Sequence, residues 1–98
     1  MYRIEYSNKA VKYLKKLKDV KLKKLFENTI YQKIANSPYK AKKKKNNLYE
    51  IWTVGFNYQK TEYRIGYKIK DNAIVIILLC GSYENFYNEL VRIIDNYK

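Results

Sequence analysis

The sequence predicts a small α+β fold in the order β-α-α-β-β-β-α, with a mainly antiparallel four-stranded sheet, a helical hairpin and a C-terminal helix. Three observations carry this. Ala73–Gly81 is an unbroken apolar run rich in β-branched residues, which wants cover on both faces and therefore reads as a central strand. The segment before it alternates strictly: Tyr63, Ile65, Tyr67 and Ile69 point one way, and Glu62, Arg64, Gly66 and Lys68 the other. Apolar residues then recur at helical spacing in two stretches of the N-terminal half and one at the C-terminal end.

Each element has its own signal. Tyr2–Tyr6 alternates and reads as a short first strand, and Ser7 is a good N-cap for the helix that follows. Ala10, Val11, Leu14 and Leu17 give that helix its apolar stripe. Asp19 caps a second helix, whose stripe is Leu22, Leu25, Phe26, Thr29, Ile30 and Ile34, and Asn36-Ser37-Pro38 ends it. The short break at Lys18-Asp19 makes the two helices an antiparallel hairpin lying on one sheet face. Tyr39–Asn47 reads as a loop, Leu48–Val54 as the second strand and Gly55–Lys60 as another loop. Lys70-Asp71-Asn72 supplies residues that tolerate positive φ, as a tight hairpin requires. Ser82 is the expected cap of the last helix, with Tyr83, Tyr87, Leu90, Ile94 and Tyr97 on one stripe and Phe86 and Ile93 beside it. One sheet face is thus core, and the other is polar and carries Arg64.

Ninety-eight residues suit one domain, 1–98, with one modest core. The apolar run is too short to span a bilayer and the N-terminus lacks the apolar stretch of a signal peptide, so the expectation is a cytoplasmic protein without membrane contact. The single cysteine, Cys80, ends the apolar strand and is expected to be buried and inert. With no histidine in the chain, neither a zinc site nor a cysteine–histidine nucleophile is expected, and no cofactor is called for.

Twenty-one Lys and Arg against nine Asp and Glu give a net charge of +12. Such an imbalance favours a polyanionic partner. The abundance of Lys, Asn, Ile and Tyr is also what AT-rich coding produces, which would leave many lysines merely solvating the surface. Lys42, Lys43, Lys44 and Lys45 form a consecutive run that will not sit in a core. It reads either as a solvated loop or as a flap contacting phosphates, each lysine able to neutralise one.

The opening YRIEYSNKAVKYLKKL, the helix ending in NSP before a lysine-rich loop, the segment EYRIGYKIKDNAIVIILL and the ending GSYENFYNELVRII together span nearly the whole chain. In order and spacing they resemble the RelE/ParE superfamily of bacterial toxin–antitoxin toxins, the RelE branch in particular. The resemblance implies a ribosome-dependent mRNA endonuclease that acts on mRNA in the ribosomal A site and is held inactive by an acidic cognate antitoxin. It implies a monomer when free and a toxin–antitoxin hetero-oligomer when bound. Cleavage would proceed by attack of the RNA's own 2′-hydroxyl on the adjacent phosphate, without metal. By motif, Arg64 matches the arginine that stabilises the phosphate and Tyr87 the C-terminal tyrosine. Tyr83 lies near a position where many relatives carry a basic residue or histidine. Glu50 and Trp52 stand on the strand where the RelE branch has two functional lysines. The ParE branch shares the fold but inhibits DNA gyrase, and that is the alternative reading, together with a basic RNA-binding module without toxin activity.

The chemistry asks for a base, a cation for the developing phosphorane charge and an acid for the leaving oxygen. Arg64, one of three arginines, suits the second role because its planar fork fits two phosphate oxygens. It would otherwise pair with an acid on a neighbouring strand, such as Glu50. A tyrosine hydroxyl is a poor base at its ordinary pKa of about 10, and neighbouring cations lower that value. Tyr87 therefore reads as base, as stacking platform or as core, with Glu50 as a rival base. Trp52 reads as a stacking platform for an unpaired base or as core. Lys68, on the Arg64 face, joins Lys42–Lys45 and Trp52 in the expected RNA-binding set.

Overall fold

A computed structural model describes residues 1–44 and 51–96. The chain starts with β1 (Arg3–Tyr6) and the hairpin helices α1 (Asn8–Lys16) and α2 (Val20–Asn28). Next come β2 (Lys42–Lys44), β3 (Ile51–Tyr58), β4 (Thr61–Lys70), β5 (Ile74–Ser82) and α3 (Phe86–Asn96). The five strands form one sheet in the order β1-β5-β4-β3-β2, and only the β1–β5 pair is parallel. The four expected strands are all present, with the apolar β5 inside the sheet, and Lys42–Lys44 adds a short edge.

Capping sets the helix starts. The Ser7 hydroxyl accepts from the Ala10 N–H at 3.1 Å and donates to the Leu78 carbonyl at 2.7 Å, so the cap of α1 is also tied to β5. Asp19 accepts from the Lys21 and Leu22 N–H groups at 3.1 and 3.2 Å. After Asn28 the helix widens into a π-helical turn, Thr29–Ile34, closed by the Ala35 N–H on the Ile30 carbonyl at 2.8 Å. The Thr29 hydroxyl donates to the Leu25 carbonyl at 2.8 Å at the start of that turn. Thr29, Ile30, Ile34 and Ala35 are all buried across it.

The sheet separates two apolar clusters. Under the hairpin lie Ala10, Leu22, Phe26, Ile30, Ile34, Ile65, Tyr67, Val75, Ile77 and Cys80. On the opposite face Phe86, Leu90 and Ile93 of α3 pack on Ile51, Leu78 and Leu79. A bulge makes the second cluster possible: Gly66 opposes Leu79 and Tyr67 opposes Ile77, leaving Leu78 as the extra residue of β5. Two successive leucines thereby serve one face. The face expected to be polar is therefore apolar under α3 and polar on either side of it, at Arg64 and at Lys68.

Three boundaries differ from the sequence reading. Lys42–Lys44, expected in a loop, pairs antiparallel with Ile51–Thr53 as an edge strand, a place where lysines discourage pairing with other chains. Gly55–Tyr58, also expected as loop, continues β3, and the turn falls at Gln59 and Lys60, both at positive φ (49° and 65°). The Ser82 side chain makes no capping bond. Tyr83–Asn85 forms a 3₁₀ turn and α3 starts at Phe86. The buried stripe of α3 then follows Phe86, Leu90 and Ile93, leaving Tyr83 half exposed and Tyr87 half buried at its margin. The second hairpin is as expected, with Asp71 and Asn72 both at φ 54°.

Candidate active site

Arg64 lies on the α3 face of the sheet. Its neighbours across the ladder are Gly55 on β3 and Gly81 on β5, and Gly66 lies two residues further along β4. The chain has three glycines, and all three surround this arginine. Each leaves the sheet bare for a different reason. A Cβ at Gly55 would lie 2.7 Å from Arg64 Nη1 and 3.0 Å from the Tyr63 carbonyl, so the guanidinium occupies the space a side chain there would take. A Cβ at Gly66 would meet Phe86 and Leu90 at 3.1 Å, so α3 sits close there. Gly81 has nothing within 4 Å of that position, and the sheet beside Arg64 is open on this flank.

The guanidinium is held in place. The Arg64 side chain is 13% exposed, with Nη1 paired to Glu62 at 2.5 Å and Nη2 donating to the Thr53 hydroxyl at 3.2 Å. Thr53 is itself buried. Nε is buried without an acceptor among the described residues. Among the described residues the acid that pairs with Arg64 is Glu62, two residues back on the same strand face; Glu50, the partner expected from the sequence, lies outside them. A mostly buried cation with one donor left unfilled among the described residues is an arrangement suited to holding an anion.

The tyrosines approach from the β5 exit. Ser82 opposes Tyr63 and Gly81 opposes Arg64, so the Tyr83–Asn85 turn begins beside the Arg64 end of the sheet. The Tyr83 and Tyr87 rings meet edge to face at 5.8 Å, and Tyr87 also abuts Phe86 at 5.2 Å. Tyr87 packs at the rim of the α3 cluster, on the same sheet face as Arg64. Arg64, Tyr83 and Tyr87 therefore share one face and one end of the sheet.

The other expected residues lie elsewhere. Trp52 packs with the cluster under the helical hairpin, edge to face with Tyr39 at 5.4 Å, on the side of the sheet away from Arg64. Lys68 shares the Arg64 face, but Gly66, under Phe86 and Leu90, lies between them. Lys42, Lys43 and Lys44 form the edge strand next to β3, and their register places Lys42 opposite Thr53. Glu50 and Lys45 fall outside the described residues. Thr53, Gly55 and Glu62, which build the Arg64 site, were absent from the sequence-derived set. A glycine inside an alternating strand, and an acid two residues before the arginine, were the available signals.

A second basic feature flanks the free edge of β5 beyond Ile77, where β1 ends. A cleft of about 410 Å³ opens there between α1 and α3, with Lys9, Lys12 and Lys16 along its rim and Leu79, Cys80 and Phe86 among its lining. An ion pair from Lys9 to Glu89 joins the two helices across it, and Lys9 holds the Glu89 carboxyl below its ordinary range. Cys80 is buried, and burial pushes its thiol up to about 12, so the cysteine is inert as expected.

Residues 4–91 match the family model for the ParE-like toxin of type II bacterial toxin–antitoxin systems, and the chain belongs to that family. Solved structures share the fold. A mutant of the Escherichia coli toxin RelE in the free state superposes with a TM-score of 0.74 at 19% identity, covering 93% of this chain and 95% of that one. The RelBE2 toxin–antitoxin complex of Mycobacterium tuberculosis gives 0.71 at 19%, covering 83% and 96%. The intact Escherichia coli RelBE complex gives 0.69 at 17%, covering 86% and 99%. No curated protein sequence matches the chain significantly. No described helix is long and apolar enough to cross a membrane.

Proposed function

We propose that this toxin is an endoribonuclease that cuts mRNA in the ribosomal A site, with Arg64 as the phosphate-stabilising group. The buried, pre-fixed Arg64 guanidinium, sharing a sheet face with Tyr83 and Tyr87, is the observation that supports this reading most. In the reaction the 2′-oxygen attacks the adjacent phosphorus and the bond to the 5′-oxygen breaks. The products are a 2′,3′-cyclic phosphate and a 5′-hydroxyl. The 2′-hydroxyl proton goes to a base, for which Tyr87 and Glu50 are the candidates, and the leaving oxygen takes a proton from an acid. Tyr83, half exposed, is the candidate for protonating the leaving group or for stacking on a base. Arg64 carries the charge that builds on the non-bridging oxygens. The step as drawn uses no metal and no cofactor. Lys42–Lys45, Lys68 and the +12 surface would steer and hold the RNA backbone. An acidic antitoxin would mask the same charge, and the cleft rimmed by Lys9, Lys12 and Lys16 suits an acidic segment.

Primer extension on cellular mRNA after brief induction tests this. Discrete cuts within translated frames are expected, and cutting by ribosome-bound protein should persist in EDTA once ribosome integrity is controlled for. Arg64→Ala should lose about 2–4 kcal/mol of transition-state stabilisation, roughly a 30- to 1,000-fold fall in rate. Tyr87→Phe removes only a hydroxyl and should abolish cleavage while leaving fold and antitoxin binding intact. Normal cutting by Tyr87→Phe would pass the base role to Glu50. Full toxicity of Arg64→Ala, with supercoiling defects and no cuts, would put inhibition of DNA gyrase in place of the nuclease.

A further inference from the structure

We infer that Glu62 is an internal substitute for the substrate phosphate, which keeps Arg64 occupied until nucleic acid displaces it, and that Gly55 provides the space in which the guanidinium waits. The inference rests on the reading of Arg64 as the phosphate-binding group. It assigns roles to two residues that this reading leaves idle.

The argument is the asymmetry of the pair. The Arg64 side chain is 13% exposed, whereas that of Glu62 is 41% exposed. The cation is built into the sheet, and its anion sits at the rim, where water competes for it and its side chain is free to swing outward. The grip is also incomplete. Glu62 engages Nη1, Thr53 engages Nη2, and Nε is left buried without an acceptor among the described residues. A buried donor without a partner is costly, so an anion able to satisfy it gains that energy on binding. A phosphodiester offers two non-bridging oxygens to a planar fork and is suited to replace a single carboxylate contact. The approach route is bare: nothing lies within 4 Å of a Cβ position at Gly81, opposite Arg64 on β5. On β3 the contact of 2.7 Å that a Gly55 Cβ would make with Nη1 means that only glycine lets the side chain lie in this place.

Masking has a measurable signature in salt dependence. While Glu62 neutralises Arg64, a phosphate that takes its place releases little additional counterion. Once Glu62 is uncharged, the same contact counts in full, close to one unit of slope in log affinity against log salt. The probe is a 2′-O-methyl RNA oligonucleotide, which binds but cannot be cut by 2′-hydroxyl attack. Glu62→Gln should bind it several-fold more tightly than the unmodified protein, with a salt slope steeper by roughly one. Adding Gly55→Ala to Glu62→Gln should cancel the gain, because the guanidinium is pushed from its place. An unchanged or weaker affinity and an unchanged slope, with an intact thermal melt, would overturn the inference and make Glu62 a support for Arg64. Should Glu62→Gln fail to fold, Glu62→Asp keeps the charge but draws the carboxylate back from the fork. A smaller gain in affinity is then expected, and no gain overturns the inference. Tighter binding to Glu62→Gln by a protein that never cuts mRNA would remove the nuclease reading and leave the masking. Cutting that proceeds while Glu62→Gln changes neither affinity nor slope would remove the masking alone.

Discussion

The Asp19 carboxylate joins two distant parts of the chain. It caps α2 through the Lys21 and Leu22 N–H groups and accepts the Tyr58 hydroxyl at 2.9 and 3.1 Å, tying the helical hairpin to the end of β3. The backbone bond from Leu22, the Tyr58 hydroxyl and the Lys21 N–H hold its pKa below the ordinary value. The folded state therefore binds this proton less readily than the unfolded chain. The stabilisation is fully present above the unfolded pKa and is lost as pH falls through the depressed folded value. Asp19→Asn keeps a capping oxygen but loses the charge. Its Tm should lie below that of the unmodified protein at neutral pH, and the two should converge in strong acid; a gap that persists in acid would mean that the charge is not the cause. Single-residue roles of this kind were partly legible. Ser7 and Asp19 announce themselves as caps, because the chemistry is local. Gly55 reads as a loop residue in the sequence, because what it makes room for, the Arg64 side chain, arrives from another strand.

At the scale of elements, the placement of α3 decides the shape of the site. Its contact with the sheet is close at Gly66, where Leu90 and Phe86, both buried, would each have to give by a few tenths of an ångström to admit a methyl group. Gly66→Ala should destabilise the fold by about 1–3 kcal/mol through overpacking and lift the N-terminal turns of α3, carrying Tyr83 and Tyr87 away from Arg64. Thermal melting and the cleavage assay together check this. Loss of activity with an unchanged melt, or the reverse, would show that α3 is not positioned by this contact. Apart from the lysine edge strand, the order of the elements was legible in periodicity, and the double cover of β5 in its unbroken apolar run. The end of α2 was less so. A helical stripe through Ile34 predicts one regular helix, and nothing in the spacing distinguishes that from a π-helical turn carrying the same residues inward. The edge strand of lysines was hidden for a related reason: three like charges argue for solvent, and an edge strand provides solvent on one side.

At the scale of the whole molecule, two thin cores share one sheet, and the ion pair from Lys9 to Glu89 is a polar link between the helices on its two sides. The sequence could indicate that β5 is buried on both faces, but not that Leu78 and Leu79 would face the same way, since the bulge depends on how β4 and α3 pack together. The face on which Trp52 falls was equally illegible, because alternation gives two sides without saying which one the hairpin covers.

The parallel pairing of β1 with β5 also has a consequence in time. Ser7 and Leu78, which meet through the cap of α1, are 71 positions apart. Synthesis at about 5–20 residues per second separates their appearance by roughly 4–14 seconds. During that interval β1 and the helical hairpin have no central strand to rest on, and Arg64 lacks both the β5 flank and the α3 cover that shape its site. Contacts so far apart in sequence form late. A ribosome making this protein therefore holds an incomplete and inactive chain until β5 has emerged, whatever the finished toxin does to translation. Chains stalled just after Lys70 should be protease-sensitive and harmless, and chains stalled after α3 has cleared the ribosome protected and toxic. Protection at the earlier stall would mean that the N-terminal half folds without its partner strand.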